Sequence, residues 1–470
     1  MNADKPRILI MGGTGFVGRE LGRSLVANGY SVTILSRRPE TVAGQLPFPC
    51  QILPWSGGEL PQEAVDGCAA VVNLVGEGIA EKPWTKARRA AIQNSRTQSV
   101  SALVRALAAA QRKPRVVIQA SAVGFYGDRG DEVLDEHSKS GSGFLASTCI
   151  GWERSLDPIE GLGVRLVVLR IGIVLGLTGG ALLEILSIYS KGLGAVLGSG
   201  KQWVSWIHVD DLVSMVKAAI ADEGWHGTYN ATAPVPCRQG ELSVQVAKAG
   251  RYKLLPAVPA FAVRVAMGGR AELVLSSARV LPTAALKLGF KFRFQSIDEA
   301  CAILLGDAVE TNLRRLVLRQ WCPVPPDHVW PFFSNAENLE QLTPPWLSFK
   351  ISSVSTAQVG EGTIIKYKLR LRGIPMSWDS VITHWQPGQG FVDEQIRGPY
   401  STWHHTHLFE PLAGGTLITD SVQYRLPLSP FGELAAGQLV ASDVQQIFNY
   451  RRQIIGAMKA SDFLRVDGQY

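Results

Sequence analysis

Hydrophobic and polar positions alternate in two different ways along this chain, and the change lies near residue 310. Before it, short apolar runs such as RILIMGG (7–13) and RVVIQAS (115–121) alternate with longer stretches of helical periodicity. This order is typical of βαβ units around a parallel sheet. Beyond it, short alternating stretches between Gly and Pro turns predict an antiparallel meander, and apolar positions at helical spacing over 440–458 predict a long closing helix. The pattern therefore predicts an α/β domain followed by an α+β domain.

Composition narrows the class of protein without identifying it. Hydrophobic residues make up 46% of the 470 residues and charged residues 19%, which is typical of well-buried globular domains. The net charge is +7, and the sequence contains no block of five or more like charges, so we expect no nucleic-acid partner. No apolar run reaches the roughly 18 residues that predict a membrane span, so no integral membrane segment is expected. Six cysteines without metal-binding spacing, and an N-terminus without a signal-peptide pattern, predict a cytoplasmic protein.

A glycine motif follows the first predicted strand. In GGTGFVG (12–18), Gly12 permits a tight turn, Gly15 lets the backbone approach a pyrophosphate, and Gly18 lets the next helix pack closely on the sheet. The N-terminus of that helix offers unpaired N–H groups to phosphates. A strand before the motif and a helix after it are the context that makes the motif informative. We therefore predict a Rossmann-like dinucleotide-binding domain.

The end of the second predicted strand indicates which dinucleotide is bound. NAD sites usually place an acidic residue there for the ribose 2′-hydroxyl, whereas arginine accommodates a 2′-phosphate. Here the strand ends in Ser36, Arg37 and Arg38, and the first carboxylate is Glu40. We therefore predict NADP(H) as the cofactor, with solvated surface arginines as the alternative interpretation.

Five motifs in order carry a family resemblance: GGTGFVG (12–18), NLVGEGI (73–79), SAVGFYGD (121–128), LRIGIVLG (169–176) and IHVDDL (207–212). Together they resemble the atypical, epimerase-like branch of the extended short-chain dehydrogenases/reductases. The stretch SSARVLPTAALKLGFKFRF (276–294) resembles the small C-terminal segment of that branch. The resemblance implies a domain over 1–306, with a substrate-side segment at about 240–305. It also implies cofactor contacts from Gly12, Thr14, Gly15, Phe16, Val17, Gly18, Ser36, Arg37, Arg38, Leu74, Val75, Gly76, Arg96 and Ile171.

The same resemblance exposes a departure in the catalytic residues. The family uses a serine to hold the substrate oxygen, a tyrosine as general acid/base, and a lysine four residues after the tyrosine. Ser121 matches the serine, but the tyrosine and lysine positions hold Leu145 and Cys149. An approximate alignment puts Arg96 where many members have asparagine. Leucine cannot transfer a proton and cysteine cannot supply a fixed cation, so the usual hydride mechanism lacks two of its groups.

Three residues are candidates to replace the missing proton donor. Tyr126 lies in a segment that borders the substrate pocket in the family, although a packed loop aromatic is an equal alternative. Cys149 could be activated by a nearby arginine such as Arg96. We favour the interpretation of Cys149 as a buried thiol packed like a small hydrophobic residue. Glu77 is the third candidate, as an acid/base or a polar anchor.

Residues 203–210 have structural interpretations at least as good as functional ones. His208 and Asp210 stand at the start of a predicted helix, and Asp210 could cap it. Trp203 and Trp206 could line a pocket, although core packing is the better interpretation. None of the four is therefore included among the candidate catalytic residues.

The second domain, expected over 315–470 after a polar linker at 307–314, contains the stretch WHHTH (403–407). On a strand His405 and His407 share one face, while His404 points to the other. Two histidines without a placed carboxylate or cysteine make an incomplete zinc site, so no metal is expected. Polar residues lining or rimming a cavity are the preferred interpretation.

The stretch VWPFFSNAENL (329–339), the meander and the closing helix resemble the helix-grip fold. This is the SRPBCC superfamily of START-like, polyketide-cyclase-like and coenzyme-Q-binding-like proteins. The resemblance implies a curved sheet around the long helix, with a cavity for an apolar ligand between them, although an interior filled by side chains stays possible. Candidate wall or core residues are Trp330, Phe332, Phe333, Trp346, Trp378 and Trp385.

Two hypotheses of function follow from these residues. The first is an NADP(H)-dependent oxidoreductase or epimerase acting on a small-molecule substrate. In it Ser121 polarises the substrate oxygen, and Tyr126, Cys149 or Glu77 donates the proton. The second is a catalytically inactive NADP(H)-binding sensor or ligand carrier, in which cofactor occupancy affects the second domain.

Overall fold

The computed structural model describes residues 5–464, which form two compact units. The first unit comprises the chain up to Pro39 together with Cys50–Ile185 and Leu193–Asp307. The second comprises Glu40–Pro49, Leu186–Gly192 and the chain from Ala308 onward. Each unit is organised around its own seven-stranded sheet.

The first sheet is parallel throughout and is buried on both faces. Its strands are β1 (Arg7–Met11), β2 (Ser31–Ser36), β3 (Gln51–Pro54), β4 (Ala70–Asn73), β5 (Val116–Ala122), β6 (Arg165–Ile171) and β7 (Gly227–Ala231). They lie in the order β7-β6-β5-β4-β1-β2-β3. The order reverses between β1 and β4, and in such sheets a crevice for ligands opens at this point, beyond the carboxyl ends of the strands. The predicted α/β Rossmann-like class is confirmed.

Four helices of the first unit position the residues of interest: α1 (Phe16–Ala27), α2 (Lys86–Ala109), α3 (Phe144–Arg154) and α4 (Val209–Ala221). The other helices before Ala308 are Pro39–Val42, Gln62–Val65, Asp157–Glu160, Ala181–Tyr189, Gln239–Ala249, Ala260–Met267, Glu272–Leu275, Thr283–Lys287 and Ile297–Leu305, with 3₁₀ turns at Val123–Tyr126 and Gly268–Ala271. Short strand pairs join Val133–Leu134 to Arg279–Val280, Ile173–Leu175 to Trp206–His208, Ala195–Leu197 to Leu255–Val258, and Trp203–Val204 to Cys237–Arg238.

The helix α3 is shorter than its sequence pattern predicts. Apolar periodicity over 144–161 indicates a single helix, but α3 ends at Arg154 and a separate short helix follows at Asp157–Glu160. Pro158 explains the break. It has no N–H to donate, and its ring would collide with the carbonyl four residues earlier in a continuous helix.

The second sheet is antiparallel, and the predicted helix-grip class is confirmed. Its strands are β8 (Arg314–Cys322), β9 (Lys350–Val354), β10 (Ile364–Leu371), β11 (Ile374–Gln386), β12 (Gly390–Arg397), β13 (Thr402–Leu412) and β14 (Gly415–Arg425), in the order β8-β14-β13-β12-β11-β10-β9. The long helix is α5 (Phe431–Ala457), and the shorter helices are Pro326–Phe333 and Ala460–Leu464, with 3₁₀ turns at Ala336–Leu339 and Pro345–Leu347. Val444, Phe448 and Ile455 of α5 pack into two apolar clusters with residues of the sheet.

Across the described residues, no helix is both long enough and apolar enough to span a bilayer.

Candidate functional site

The turn between β1 and α1 requires glycine at two of the predicted positions. Gly12 has a φ of +83°, and a Cβ there would lie 3.0 Å from the carbonyl carbon of Leu74. A Cβ on Gly18 would lie 2.4 Å from the Gly12 oxygen, so a side chain would push α1 away from the turn. Gly15 is the N-cap of α1, and no side chain caps this helix. The first N–H groups of α1 are thus free of side-chain caps, which fits the phosphates of a dinucleotide.

Thr14 lies in the turn, and Phe16 and Val17 are the first residues of α1. The carbonyl of Thr14 accepts a hydrogen bond from Arg19 Nε at 2.9 Å, which fixes the turn against α1. The ring of Phe16 packs on a glycine-rich loop, where a Cβ on Gly176 would lie 2.6 Å from it. Phe16 therefore has a packing role whether or not it also contacts a cofactor.

The side chains of Arg37 and Arg38 are exposed immediately after β2. Buried Ser36 accepts a hydrogen bond from the Arg38 N–H at 3.1 Å, which sets the direction of the chain at this point. Neither guanidinium forms a hydrogen bond or ion pair with any side chain among residues 5–464. Both cations are consequently available to an anion at the edge of the sheet.

Arg96 of α2 holds the loop that follows β4, which contains Leu74, Val75 and Gly76. Its Nη1 atom donates to the Glu77 carbonyl at 3.2 Å, and a Cβ on Gly76 would lie 3.1 Å from its Cζ. Burial lowers the pKa of Arg96. The carboxylate of Glu77 forms an ion pair with Arg88, so it is not a free acid or base in this structure.

The predicted cofactor residues share one edge of the sheet. Those after β1, β2 and β4 lie at the carboxyl ends of these strands, Ile171 is the last residue of β6, and Ser121 lies near the end of β5. The reversal of strand order places the crevice in the same region. The contacts of individual residues with a cofactor stay a prediction.

Ser121 is part of a buried network that its sequence motif does not indicate. Its hydroxyl donates to Glu153 Oε1 at 2.6 Å, and only 3% of the residue is exposed. Arg170 of β6 donates to both oxygens of the same carboxylate, from Nε at 3.0 Å and from Nη2 at 2.8 Å. Since Ser121 has one hydroxyl proton and gives it to Glu153, it can only accept a further hydrogen bond.

Tyr126 lies at the other end of this network. Its hydroxyl accepts from Arg170 Nη1 at 3.0 Å and lies 2.7 Å from Asn230 Oδ1 and 2.9 Å from the Asp135 carbonyl. The residue has no exposed surface, and burial raises the pKa of its hydroxyl. These contacts favour the packed-aromatic interpretation of Tyr126 over the role of proton donor.

Leu145 and Cys149 lie one turn apart on α3. Gly124 leaves room for both, since a Cβ there would lie 3.2 Å from Leu145 Cβ and 3.7 Å from Cys149 Sγ. Burial raises the pKa of the Cys149 thiol to about 11, and the positive charge of Arg96 offsets this only in part. The thiol is therefore protonated at neutral pH, which agrees with its interpretation as a packed residue.

The start of α4 differs from the expectation for Asp210. His208 is the N-cap, and its Nδ1 accepts a hydrogen bond from the Asp210 N–H at 3.1 Å, so the prediction that Asp210 caps the helix was wrong. The helix begins at Val209, two residues too early for Asp210 to be the cap, and Asp210 lies within the first turn. Trp206 is fully buried, as core packing predicts, and Trp203 donates from its indole to Asp131 at 2.8 Å.

The second unit contains a partly open cavity of about 190 Å³ between the sheet and α5. The interior is therefore not filled by side chains. Of the predicted wall or core residues, Phe332, Phe333, Trp378 and Trp385 line it. Trp346 is 56% exposed, so it belongs to neither the wall nor the core. In the 3₁₀ turn that contains it, the neighbouring Leu347 is the buried residue.

One part of the cavity wall is polar. His405 and His407 line it, whereas His404 pairs with Glu394 on the other face of β13, so the predicted division of the three histidines is confirmed. Asp393 joins the two inward-facing histidines, and its carboxylate was missed because it lies on a different strand. Arg451 of α5 completes the polar wall.

Known proteins match this chain in three consecutive regions. The model of the NAD dependent epimerase/dehydratase family matches residues 8–231, that of a domain of unknown function, DUF1731, matches 258–304, and that of polyketide cyclase / dehydrase and lipid transport proteins matches 322–449. The chain is 37% identical over 306 residues to the epimerase family protein SDR39U1 homolog, chloroplastic, of Arabidopsis thaliana, and the match covers 63% of this chain and 86% of that protein. The chain belongs to the NAD-dependent epimerase/dehydratase family.

Two solved structures resemble this epimerase-family chain at similar coverage. Human epimerase family protein SDR39U1 with NADPH is 28% identical, with a TM-score of 0.57 over 64% of this chain and 99% of that one. The nucleoside-diphosphate sugar epimerase of Corynebacterium glutamicum is 32% identical, with a TM-score of 0.53 over 64% of this chain and 58% of that one. The predicted family is thus confirmed. The predicted C-terminal segment at 276–294 falls within the DUF1731 match, and the helix-grip prediction is confirmed by the match over 322–449.

Within this epimerase-family chain, Glu153 and Arg170 are the residues near the catalytic motif that sequence reasoning missed. Arg170 lies inside LRIGIVLG, directly opposite Ser121 in the register of β5 and β6. Glu153 lies two turns after Leu145 on the same helix. A charged residue within an otherwise apolar parallel strand is the signal that could have identified Arg170, since such a charge needs a buried partner.

Proposed function

We propose that the first unit binds NADP(H) rather than NAD(H). The observation that carries this proposal is the pair of exposed guanidiniums at the end of β2, with no carboxylate between Ser36 and Glu40. A 2′-phosphate is accommodated by arginine at this position, whereas an acidic residue would repel it. NADPH in the human SDR39U1 structure supports the same choice.

The cofactor proposal is tested by replacing Arg37 with Asp and Arg38 with Ser in the intact chain. Charge-assisted hydrogen bonds contribute about 1.5–3 kcal/mol, so loss of one should weaken NADPH binding by roughly tenfold or more. Binding of NADPH and of NADH is measured by titration calorimetry. Arg105→Ser removes an exposed arginine of α2 and serves as the matched control. An equal loss of affinity for both dinucleotides would refute the 2′-phosphate assignment.

We further propose that the chain is a cofactor-binding ligand carrier or sensor rather than a dehydrogenase of the tyrosine–lysine type. The supporting observation is that no candidate proton donor is both accessible and unpaired. Cys149 is 5% exposed, Tyr126 is fully buried, and Glu77 forms an ion pair with Arg88. Leu145, at the family's tyrosine position, is apolar. The second unit would then hold an apolar small molecule in its cavity, as the match to lipid transport proteins suggests.

Mass spectrometry of small molecules that co-purify with the intact chain tests both sites together. A carrier or sensor is expected to retain a lipophilic compound, and to bind one NADPH per chain without oxidising it when lipophilic carbonyl compounds are added. The second candidate function is an NADP(H)-dependent oxidoreductase or epimerase, which is favoured by the position of Ser121 at the same strand edge as the glycine turn. Steady turnover that Ser121→Ala abolishes would establish that candidate and refute the carrier.

A further inference from the structure

Two histidines and two carboxylates face one another inside the second unit, on three adjacent strands. Asp393 of β12 is directly opposite His405 of β13, and His407 is directly opposite Asp420 of β14. Because alternate residues of a strand share a face, all four side chains project from the same side of the sheet. The two histidines and Asp420 are at most 5% exposed.

Three of these side chains converge on one point. Asp393 Oδ2 lies 3.3 Å from His405 Nδ1 and 2.9 Å from His407 Nε2. Neighbouring ligands in a tetrahedral zinc shell with bonds of 2.0–2.1 Å lie roughly 3.3 Å apart, which is close to both of these distances. All three ligand atoms lie within 4.8 Å of one another. The three residues also line the cavity, so an ion that they hold would be next to any molecule bound there.

Asp420 stands behind the histidines and orients them. Its Oδ1 lies 3.0 Å from His405 Nε2 and 3.2 Å from His407 Nδ1, the ring nitrogens that point away from Asp393. Arg451 Nη2 lies 3.4 Å from the same oxygen and 3.3 Å from His407 Nδ1. Histidines that bind metals usually donate their second N–H to a carboxylate, and His405 Nε2 is placed to do this towards Asp420. For His407 the same tautomer requires Nδ1 to donate to Asp420 and Arg451 to donate to Asp420 alone.

Aromatic rings fix the two imidazoles in place. Phe391 stacks on His407 with ring centroids 4.1 Å apart, and Phe448 packs edge-on against His405 at 5.2 Å. The imidazoles therefore cannot rotate freely, and the three converging atoms are pre-positioned without a ligand.

The two carboxylates of the cluster lie beside a single guanidinium, that of Arg451, whose Nη2 is 3.4 Å from Asp420 Oδ1. A further positive charge held among these buried groups, on a proton or a metal ion, would be stabilised. We propose that Asp393, His405 and His407 bind a divalent transition-metal ion, for which two imidazoles and a carboxylate are suitable donors.

The location of this site specifies the class of ligand it would take. The remaining wall is mostly aromatic and aliphatic. Its polar residues are the hydrogen-bonded pair of Tyr367 and Ser380, whose oxygens are 3.1 Å apart, together with Ser334, Asn335, Asn338 and Thr343. A metal ion with open positions would therefore take an oxygen donor, such as a carbonyl or carboxylate, carried by a largely apolar molecule.

The proposal is tested with the intact chain after treatment with a chelator. Zn²⁺ is titrated by calorimetry, and Co²⁺ is added as a spectroscopic probe, because its visible bands report the coordinating atoms. We expect one ion per chain and bands typical of nitrogen and oxygen ligands. Asp420→Asn should weaken binding by about 10–100-fold, and Asp393→Asn should weaken it more. His404→Gln is the matched control on the opposite face of β13 and should bind as the unmodified chain does.

Several results would overturn the proposal. The first is the absence of Co²⁺ bands from the unmodified chain. The second is the appearance of thiolate-to-cobalt charge-transfer bands, which would place the ion on cysteine. The third is Zn²⁺ binding by Asp393→Asn that is as tight as binding by the unmodified chain. Another is an NMR titration that finds one imidazole protonated at neutral pH with no metal bound, which would assign the compensating charge to a proton. The Co²⁺ spectrum of the unmodified chain decides the matter even if a variant fails to fold.

Discussion

Replacing Glu153 with glutamine removes the carboxylate on which the buried network of the first unit depends. The side chains of Arg170 and Glu153 are 8% and 16% exposed, and the carboxylate accepts hydrogen bonds from Arg170 Nε, Arg170 Nη2 and Ser121 Oγ. Removing one partner of a buried ion pair costs about 3–5 kcal/mol, because the other charge is left without compensation. Glutamine keeps one acceptor oxygen, so we expect a loss at the lower end, about 3 kcal/mol.

Urea unfolding of the intact chain, followed by far-UV circular dichroism, measures this loss in the transition of the first unit. Glu132→Gln is the matched control. Glu132 forms an ion pair with Arg129, and these side chains are 49% and 24% exposed, respectively. Such an exposed pair should contribute less than about 1 kcal/mol to the free energy of unfolding. Arg170→Met supplies the second single variant of a double-mutant cycle. The double variant should lose less stability than the two single variants together, since it leaves no unpaired charge.

A loss in free energy of unfolding that is no larger in Glu153→Gln than in Glu132→Gln would refute the predicted role of the Glu153–Arg170 ion pair. So would a double variant whose loss equals the sum of the losses in Glu153→Gln and Arg170→Met. Either result would mean that water or another described group compensates Arg170 as well as the carboxylate does.

Two further predictions concern the first unit. Gly18→Ala should abolish NADPH binding while the chain stays folded, because the added Cβ would lie 2.4 Å from the Gly12 oxygen. Calorimetry measures the affinity for NADPH, and circular dichroism measures the folding. Normal affinity for NADPH would contradict the prediction. Cys149 should resist iodoacetamide at pH 7–8 and react faster as the pH rises towards the thiol pKa of about 11, because only the thiolate is nucleophilic. Peptide mass spectrometry measures the labelling of Cys149. Rapid labelling at pH 7 would contradict the prediction and show an activated thiol.

The glycine turn could be predicted from sequence because its constraints are local. Gly12, Gly15 and Gly18 lie within seven residues, and strand, turn and helix follow one another there. The same holds for the faces of β13, where alternation alone separates His404 from His405. Such features need no knowledge of which strands are neighbours.

The polar wall of the cavity in the second unit depends on which residues of neighbouring strands are paired. Only part of that pairing could be predicted from the sequence. The two-residue turn at Ala413 and Gly414 pairs Leu412 with Gly415, and counting back from it places Asp420 opposite His407. Asp393 has no such anchor, because the connection from β12 to β13 is longer and leaves the register open. The incomplete zinc site of the sequence prediction therefore reflected an unknown register between β12 and β13.

The missing tyrosine and lysine acquire a physical context once β5, β6 and α3 are placed together. Leu145, Cys149 and Glu153 follow one another at four-residue spacing on α3, so they lie along one face of the helix. Leu145 is apolar and Cys149 is a buried thiol, so the ion pair of that face is formed by Glu153, and Arg170 donates to both of its oxygens. Ser121 gives its proton to the same carboxylate. The Ser121 oxygen can therefore only accept a hydrogen bond from a substrate while the Ser121–Glu153 bond persists, so the family's use of this serine to donate to the substrate oxygen would require that bond to break.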